Sequence, residues 1–285
     1  MAQAGTHTMG QPELSNMALF CDFENVALGV RDAGYAQFDI RKVLERLLLK
    51  GSIVVKKAYC DWERYKDFKG TMHEASFELI EIPHVRQSGK NSADIRMVVD
   101  ALDLCYTKAH VDAFVIISGD SDFSPLVSKL RENNKYVIGI GVKDSTSDLL
   151  AANCDEFIFY DDLVRAQEAQ KRRAAKKVQP KPLDGAKKTP PKRGADKIEE
   201  DRRQEALDLV LETVEALVAE RGEDKIWYSM IKQTMQRRQP GFSESSYGYR
   251  SFRELLEDAQ KRKLLTLVRN DKTNQYAVHL PAADE

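Results

Sequence analysis

Met17-Ala18-Leu19-Phe20-Cys21-Asp22-Phe23-Glu24-Asn25 and Ala113-Phe114-Val115-Ile116-Ile117-Ser118-Gly119-Asp120-Ser121-Asp122 are two apolar runs that each end in ligand-type polar side chains. Short, unbroken apolar runs of this kind read as strands of a parallel sheet covered on both faces. Open α/β sheets place their ligands beyond the carboxyl ends of the strands. If the two strands are neighbours, their terminal carboxylates crowd together, and crowded carboxylates repel unless a cation lies between them. Read this way, the pair predicts a Mg²⁺ or Mn²⁺ site.

Outward from these runs, the sequence alternates between strand and helix patterns as far as residue 164. Strands are expected over 17–23, 53–60, 79–82, 112–118, 136–141 and 156–159, and helices over 39–50, 63–78, 92–108, 122–133, 146–153 and just after Asp161. Alternation of this kind predicts an α/β fold, a parallel sheet with helices on both faces. Residues 1–15 read as a disordered leader and 16–164 as the α/β domain. Residues 165–200 read as a basic linker with prolines at 180, 182, 190 and 191, and 201–281 as a small C-terminal domain. The linker's prolines and charges leave it too little apolar surface for a packed core, although its first part, to about Lys177, can extend the preceding helix.

In the small domain, Ala206, Leu209, Val210, Val214 and Leu217 keep helical spacing. A second helix is expected over 229–238, stopped by Pro240-Gly241, and a third over 246–262. Leu264–Val268 and Gln275–Val278 then flank the turn 270–274 as a hairpin. Three helices followed by a hairpin predict a winged-helix type of helix-turn-helix.

The net charge of −1 hides an uneven distribution. Residues 165–197 hold twelve Lys/Arg against three Asp/Glu, a local +9, so the rest of the chain sums to −10. A basic tether between mildly acidic parts fits a polyanionic partner, and equally a solvated linker without a ligand. Cys21, Cys60, Cys105 and Cys154 form no C-x-x-C pair and sit in apolar stretches, so they read as small buried hydrophobes of a reducing compartment. No apolar run approaches the ~20 residues of a membrane span, and the N-terminus shows no secretory signal pattern. The expectation is a cytoplasmic protein with no membrane partner.

A third acid joins the two strand ends. In Ser88-Gly89-Lys90-Asn91-Ser92-Ala93-Asp94, Ser92 reads as a helix N-cap with Asp94 in the first turn. Short, hard aspartates suit a Mg²⁺ that keeps most of its waters, and two such ions can activate a water and stabilise the leaving oxygen of a phosphodiester. Each acid alone has another reading. Asp122, before Phe123-Ser124-Pro125, can cap the next helix, Asp94 can complement a helix dipole, and Asp22 with Asn25 can form a turn.

Phe20-Cys21-Asp22-Phe23-Glu24-Asn25, the Lys90/Asp94 helix start and Ser118-Gly119-Asp120-Ser121-Asp122-Phe123 resemble, in order, the three signatures of NYN domains, relatives of PIN-domain nucleases. The resemblance spans about 17–162 and implies a PIN-like α/β fold with a metal-dependent ribonuclease site. Carried over position by position, it implies Asp22, Asp94, Asp120 and Asp122 as metal-binding carboxylates and Asn25 as the group that orients the first loop or the phosphate. Ser118, at the family's small-hydroxyl position, is an RNA-binding candidate, and Lys90 and Lys143 are phosphate-contact candidates.

Trp227-Tyr228, Gln239-Pro240-Gly241-Phe242, Tyr247-Gly248-Tyr249 and Ser251-Phe252-Arg253-Glu254-Leu255-Leu256 are similar to the LOTUS domain, also called OST-HTH, over about 205–280. That resemblance implies a winged helix used for RNA binding or protein docking. Phe242, Tyr249 and Phe252 are expected in its core, while Lys232, Arg237, Arg238, Lys261, Arg262 and Lys263 are candidates for phosphate contacts or a solvated face. Fourteen cations against seventeen anions over 198–285 argue against strong non-specific binding. Together these readings predict a metal-dependent endoribonuclease acting on single-stranded RNA, in which an oligomer and a protein partner at the C-terminal domain are both open. The rival reading is a non-catalytic RNA-binding or scaffolding adaptor with the same acidic pocket. An aspartyl-phosphate phosphatase would need an Asp two residues beyond Asp22, where the chain has Glu24.

Overall fold

The computed structural model describes residues 16–82, 92–177, 194–221, 226–239, 242–269 and 276–281, with backbone alone for 169–177 and 194–199. The expected leader, Lys90, the prolines of the linker, Pro240-Gly241 and the hairpin turn 270–274 lie outside the described residues. The chain divides into two compact units, Met1–Gln179 and Pro180–Glu285.

The first unit is built on six parallel strands, β1 (Asn16–Asp22), β2 (Ser52–Cys60), β3 (Glu78–Glu81), β4 (Ala113–Ile117), β5 (Tyr136–Gly141) and β6 (Glu156–Phe159). Their order across the sheet is β3-β2-β1-β4-β5-β6. The direction of winding therefore reverses between β1 and β4, so the carboxyl ends of these two central neighbours flank a crevice. Side-chain alternation sorts each strand between two cores. Met17, Leu19 and Cys21 of β1 face one layer with Val115 and Ile117 of β4, and Ala18 and Phe20 face the other with Phe114 and Ile116. All these residues are fully buried, which is why the strands read as continuous apolar runs.

One face is covered by α1 (Phe23–Asp32), α2 (Ile40–Leu48), α3 (Lys66–Glu74) and the start of α7 (Tyr160–Lys177). The other is covered by α4 (Ser92–Thr107), α5 (Ser124–Glu132) and α6 (Asp148–Asn153). The fold is α/β and PIN-like as predicted, with each expected strand in place. Helix α1 was not expected. Phe23 is not the end of β1 but the first residue of this helix, whose N-cap is Asp22 itself. The chain passes from strand to helix with no intervening loop, so no turn residues announce the change. Ser92 is likewise the first residue of α4 rather than its N-cap, and Asp94 lies in the first turn as expected. The four cysteines are free, three of them buried and Cys154 half-buried.

The second unit comprises α8 (Gly194–Arg221), β7 (Ile226–Trp227), α9 (Tyr228–Arg238), α10 (Phe252–Lys261), β8 (Thr266–Arg269) and β9 (Tyr276–His279). Its strands form an antiparallel sheet of order β7-β9-β8. The expected hairpin is present as β8 and β9, and β7 adds an unpredicted two-residue strand. The third helix is shorter than the expected 246–262. A 3-10 turn at Glu244–Tyr247 ends at Gly248, which adopts φ +81°, and Ser251 then caps α10 by accepting from the Glu254 N–H at 3.2 Å. The left-handed glycine breaks the helical pattern where the sequence had suggested continuity. Tyr249 and Phe252 are buried in the core of this unit, and Phe242 packs against it from a half-buried position. No described helix is long and apolar enough to cross a membrane.

Candidate functional site

The β1 and β4 ends are joined by a short hydrogen-bonded circuit. Asp22, 8 % exposed, accepts from the Ser118 hydroxyl on Oδ2 at 3.1 Å and from the Asn25 N–H on Oδ1 at 3.4 Å. Ser118, expected to contact RNA, is instead fully buried and braces the site from within, its Oγ also accepting from the Asp120 N–H at 3.2 Å. Asn25, in the first turn of α1, accepts from the Gly119 N–H on its side-chain oxygen at 2.9 Å. It therefore does not end the first strand, as expected, but straps the helix start to the β4 loop. Asp120 caps the 3-10 turn Ser121–Phe123, accepting from the Asp122 N–H at 2.9 Å. The capping alternative for Asp122 is thus corrected: Asp120 is the cap, α5 has no side-chain cap, and the Asp122 side chain is exposed.

Gly119 explains why the turn lies so tight. A Cβ there would sit 2.4 Å from the Ser145 carbonyl oxygen, and the Gly119 carbonyl accepts from the Ser147 N–H at 2.9 Å. The loop after β5 is in turn held by the buried Asp161, which accepts from the Lys143 N–H at 2.8 Å and the Tyr35 hydroxyl at 2.9 Å. Lys143 thus contributes its backbone to the scaffold while its side chain is exposed.

The electrostatics set this edge apart from ordinary capping. Burial first, then the Asp94 carboxylate, push Asp22 up to about 7, with a further rise from Asp120, despite the opposing hydrogen bonds from Asn25 and Ser118. Asp94 is pushed up to about 6 by burial and then by Asp120, Asp122 and Glu24. The structure therefore places Asp94 and Asp120 close enough to act on Asp22, and Asp120 and Asp122 close enough to act on Asp94. It also adds Glu24, on the first turn of α1, whose carboxylate pairs with Arg64 Nη1 at 3.1 Å. Arg64 sits beyond β2, two residues after Trp62. That indole is buried against Phe23 (ring centroids 5.0 Å apart) and donates to the Ile80 carbonyl at 3.2 Å, while the Trp62 N–H donates to Glu81 at 3.0 Å. Forty residues separate Arg64 from Glu24, so no local spacing could have shown the pair.

The donor set is all carboxylate oxygen, the chemistry Mg²⁺ and Mn²⁺ prefer, and a cation would relieve the repulsion that raises Asp22 and Asp94. Among the described residues, however, no three carboxylate, imidazole or thiolate side chains are gathered closely enough to enclose an ion. The fit is therefore one of charge and ligand type, suited to a hydrated ion that contacts few side chains directly.

Residues 16–161, just over half of the chain, match the NYN domain family. The chain belongs to the NYN domain family. NYN domains are nuclease-type domains that act on RNA, and nucleases of this PIN-like kind generally use divalent metals. Residues 205–276 match the OST-HTH/LOTUS domain, an RNA-binding type. An uncharacterized protein of Methanocaldococcus jannaschii is 28 % identical over 120 residues, 42 % of this chain and 47 % of that protein, so the chain covers about half the length of that relative. A Vibrio parahaemolyticus protein of unknown function is similar at 27 % identity over 54 % of this chain and 98 % of that one, with a TM-score of 0.47. The Aeropyrum pernix ORC1 protein, solved in complex with DNA, aligns at 14 % identity over 94 % of this chain and 84 % of its own, with a TM-score of 0.22. Neither superposition is close enough to carry an argument.

In the OST-HTH/LOTUS unit, three of the expected phosphate-contact residues, Lys232, Arg238 and Arg262, are engaged internally. Lys232 pairs with Glu244 at 3.1 Å and lies 6.0 Å from the Phe252 ring centroid, and Arg238 pairs with Glu212 at 2.7 Å. Arg237 is half-buried. Arg262 pairs with Glu200 at 3.0 Å and Asp258 at 3.2 Å. Lys261 and Lys263 are exposed.

Proposed function

We propose that this NYN protein is a metal-dependent endoribonuclease that hydrolyses phosphodiester bonds in single-stranded RNA. The observation that carries the reading is the crowding of Asp22 and Asp120, at the carboxyl ends of the two central strands, with Asp94 on the first turn of α4. Asp22, Asp94, Asp120 and Asp122 would hold Mg²⁺ or Mn²⁺. Such an ion supplies positive charge to an attacked phosphodiester and lowers the pKa of a water that can serve as nucleophile. The chain's own residues do the positioning. Ser118 fixes the Asp22 carboxylate and the Asp120 backbone relative to each other, and Asn25 locks the α1 start to Gly119. Arg64, held by the anchored Trp62 loop, meets a substrate phosphate at the rim, exchanging Glu24 for it. The basic linker and the OST-HTH/LOTUS unit raise the local concentration of RNA.

Incubation of labelled single-stranded RNA with Mn²⁺ and either wild type or Asp120→Asn tests the reading. Cleavage by wild type alone is expected, and equal cleavage by both proteins would overturn the assignment. The alternative is a non-catalytic RNA-binding or scaffolding adaptor that keeps the same acidic pocket. RNA binding without metal-dependent cleavage on varied substrates would establish that alternative.

A further inference from the structure

Helix α4 is apolar on two sides. Met97, Ala101 and Cys105 are buried in the core beneath it, yet Ile95, Val99 and Tyr106 on its outer side are 63 %, 56 % and 64 % exposed, and the half-buried Leu102 between them packs in part against that core while leaving its outer edge on the stripe. On a helix these four residues form one stripe, since neighbours three or four apart share a face. Isolated exposed apolar residues are ordinary, whereas a continuous stripe of large ones marks an interaction surface.

The sequence of the stripe indicates what covers it. Its steps are four, three and four residues, the same read from either end. Two copies laid antiparallel therefore place Ile95 against the partner's Tyr106 and Val99 against the partner's Leu102, with no register slip. The flanks agree. On one side of the stripe Val98 and Cys105 turn to the protein's own core, so the flank bearing Arg96 and Asp103 is the exposed one. In an antiparallel helix pair the same flank of each helix faces its counterpart. That sets Arg96, 58 % exposed and reaching Asp100 at 3.1 Å, opposite the partner's Asp103, and Asp103 opposite the partner's Arg96. The surface is thus self-complementary in both shape and charge, as a two-fold interface requires.

We propose that α4 is a self-association surface on which a second copy of this chain docks antiparallel about a two-fold axis near residues 100 and 101. At 16 residues the helix is about 24 Å long. The contact is therefore small and the dimer weak, with a dissociation constant on the order of 10 µM or above. The proposal does not depend on the nuclease reading, because its readout is mass rather than cleavage.

Sedimentation velocity of the full chain over about two decades of concentration tests it. Wild type should shift from monomer to dimer, and Val99→Arg with Tyr106→Glu, both exposed positions, should remain monomeric with unchanged circular dichroism. Arg96→Asp alone and Asp103→Arg alone should each dimerise about tenfold more weakly, because each homodimer sets like charges together twice. An equimolar mixture of these two single variants should recover dimer, because the mixed pair is complementary at both contacts. A wild type that stays monomeric would overturn the proposal. So would a dimer indifferent to the Val99/Tyr106 change, which would place the contact elsewhere, or a mixture that associates no better than its components.

Discussion

In the OST-HTH/LOTUS unit Lys232, Arg238 and Arg262 each meet a carboxylate between 2.7 and 3.2 Å, whereas at the carboxyl edge of the NYN sheet Asp22, Asp94 and Asp120 press on one another. The first pattern is what a self-sufficient fold does with charge, since pairing within the unit leaves little to gain from a ligand. The second lowers the stability of the free protein, because the buried Asp22 must ionise beside the half-buried Asp94 and Asp120. A folded chain that concentrates like charge at one edge holds in reserve the free energy that a cation would recover. The contrast also moves attention in the C-terminal unit from Lys232 and Arg238 to the exposed Lys261 and Lys263 as places where RNA phosphates can approach without displacing a partner.

The comparison breaks most visibly through activity. Asp94→Asn should lower the rate of Mn²⁺-dependent RNA cleavage by about a hundredfold to a thousandfold, the effect expected from losing several kcal/mol of charge stabilisation. Single-turnover kinetics with labelled RNA reads this directly.

Stability supplies the next largest effect, with a definite sign in pH. Asp22 titrates near 4 in the unfolded chain and at about 7 in the folded one. The native state therefore keeps a proton that the unfolded chain releases, so Asp22's contribution is fully present below pH ~4 and is lost as pH rises through about 7. Without metal, Asp22→Asn should stabilise the protein relative to wild type by about 2–4 kcal/mol at pH 8, with the gain fading towards pH 4. Urea denaturation of both proteins across this range checks the slope.

Arg64→Ala sharpens the view of the rim. With the proposed phosphate contact gone, RNA should bind about tenfold more weakly while kcat falls less, a split visible in KM against kcat. The smallest effect belongs to the well-paired unit. Arg238→Ala should cost about 1 kcal/mol or less, since its partner Glu212 remains partly solvated, and should change RNA affinity less than Lys261→Ala with Lys263→Ala. Chemical denaturation and fluorescence anisotropy separate the two outcomes.

Much of this architecture was legible in the chain, for physical reasons that also explain the gaps. Phe114 to Ile117 announce β4 because a strand buried on both faces can hold only apolar side chains. The acids at 22 and 120 were readable because each closes an apolar strand run, and Asp94 because it lies in the first turn of a helix; sheet topology brings the two strand ends side by side. Helix α1 escaped because Asp22 is at once the last strand residue and the helix cap, leaving no punctuation between them. The Glu24–Arg64 pair was illegible because it depends on the first turn of α1 meeting the loop after β2 in space. The internal pairing of Lys232 and Arg238 was hidden for the same reason, since a surface-spaced cation and one with a partner read alike in sequence.

The central claim, that the acidic edge is built to receive a divalent cation, is tested most directly by thermal unfolding at pH 8 with and without Mn²⁺. Wild type should gain stability on addition of Mn²⁺, and Asp22→Asn and Asp120→Asn should start from higher or equal melting temperatures and gain markedly less. A wild type that Mn²⁺ leaves unchanged, or variants that respond as strongly as wild type, would contradict it.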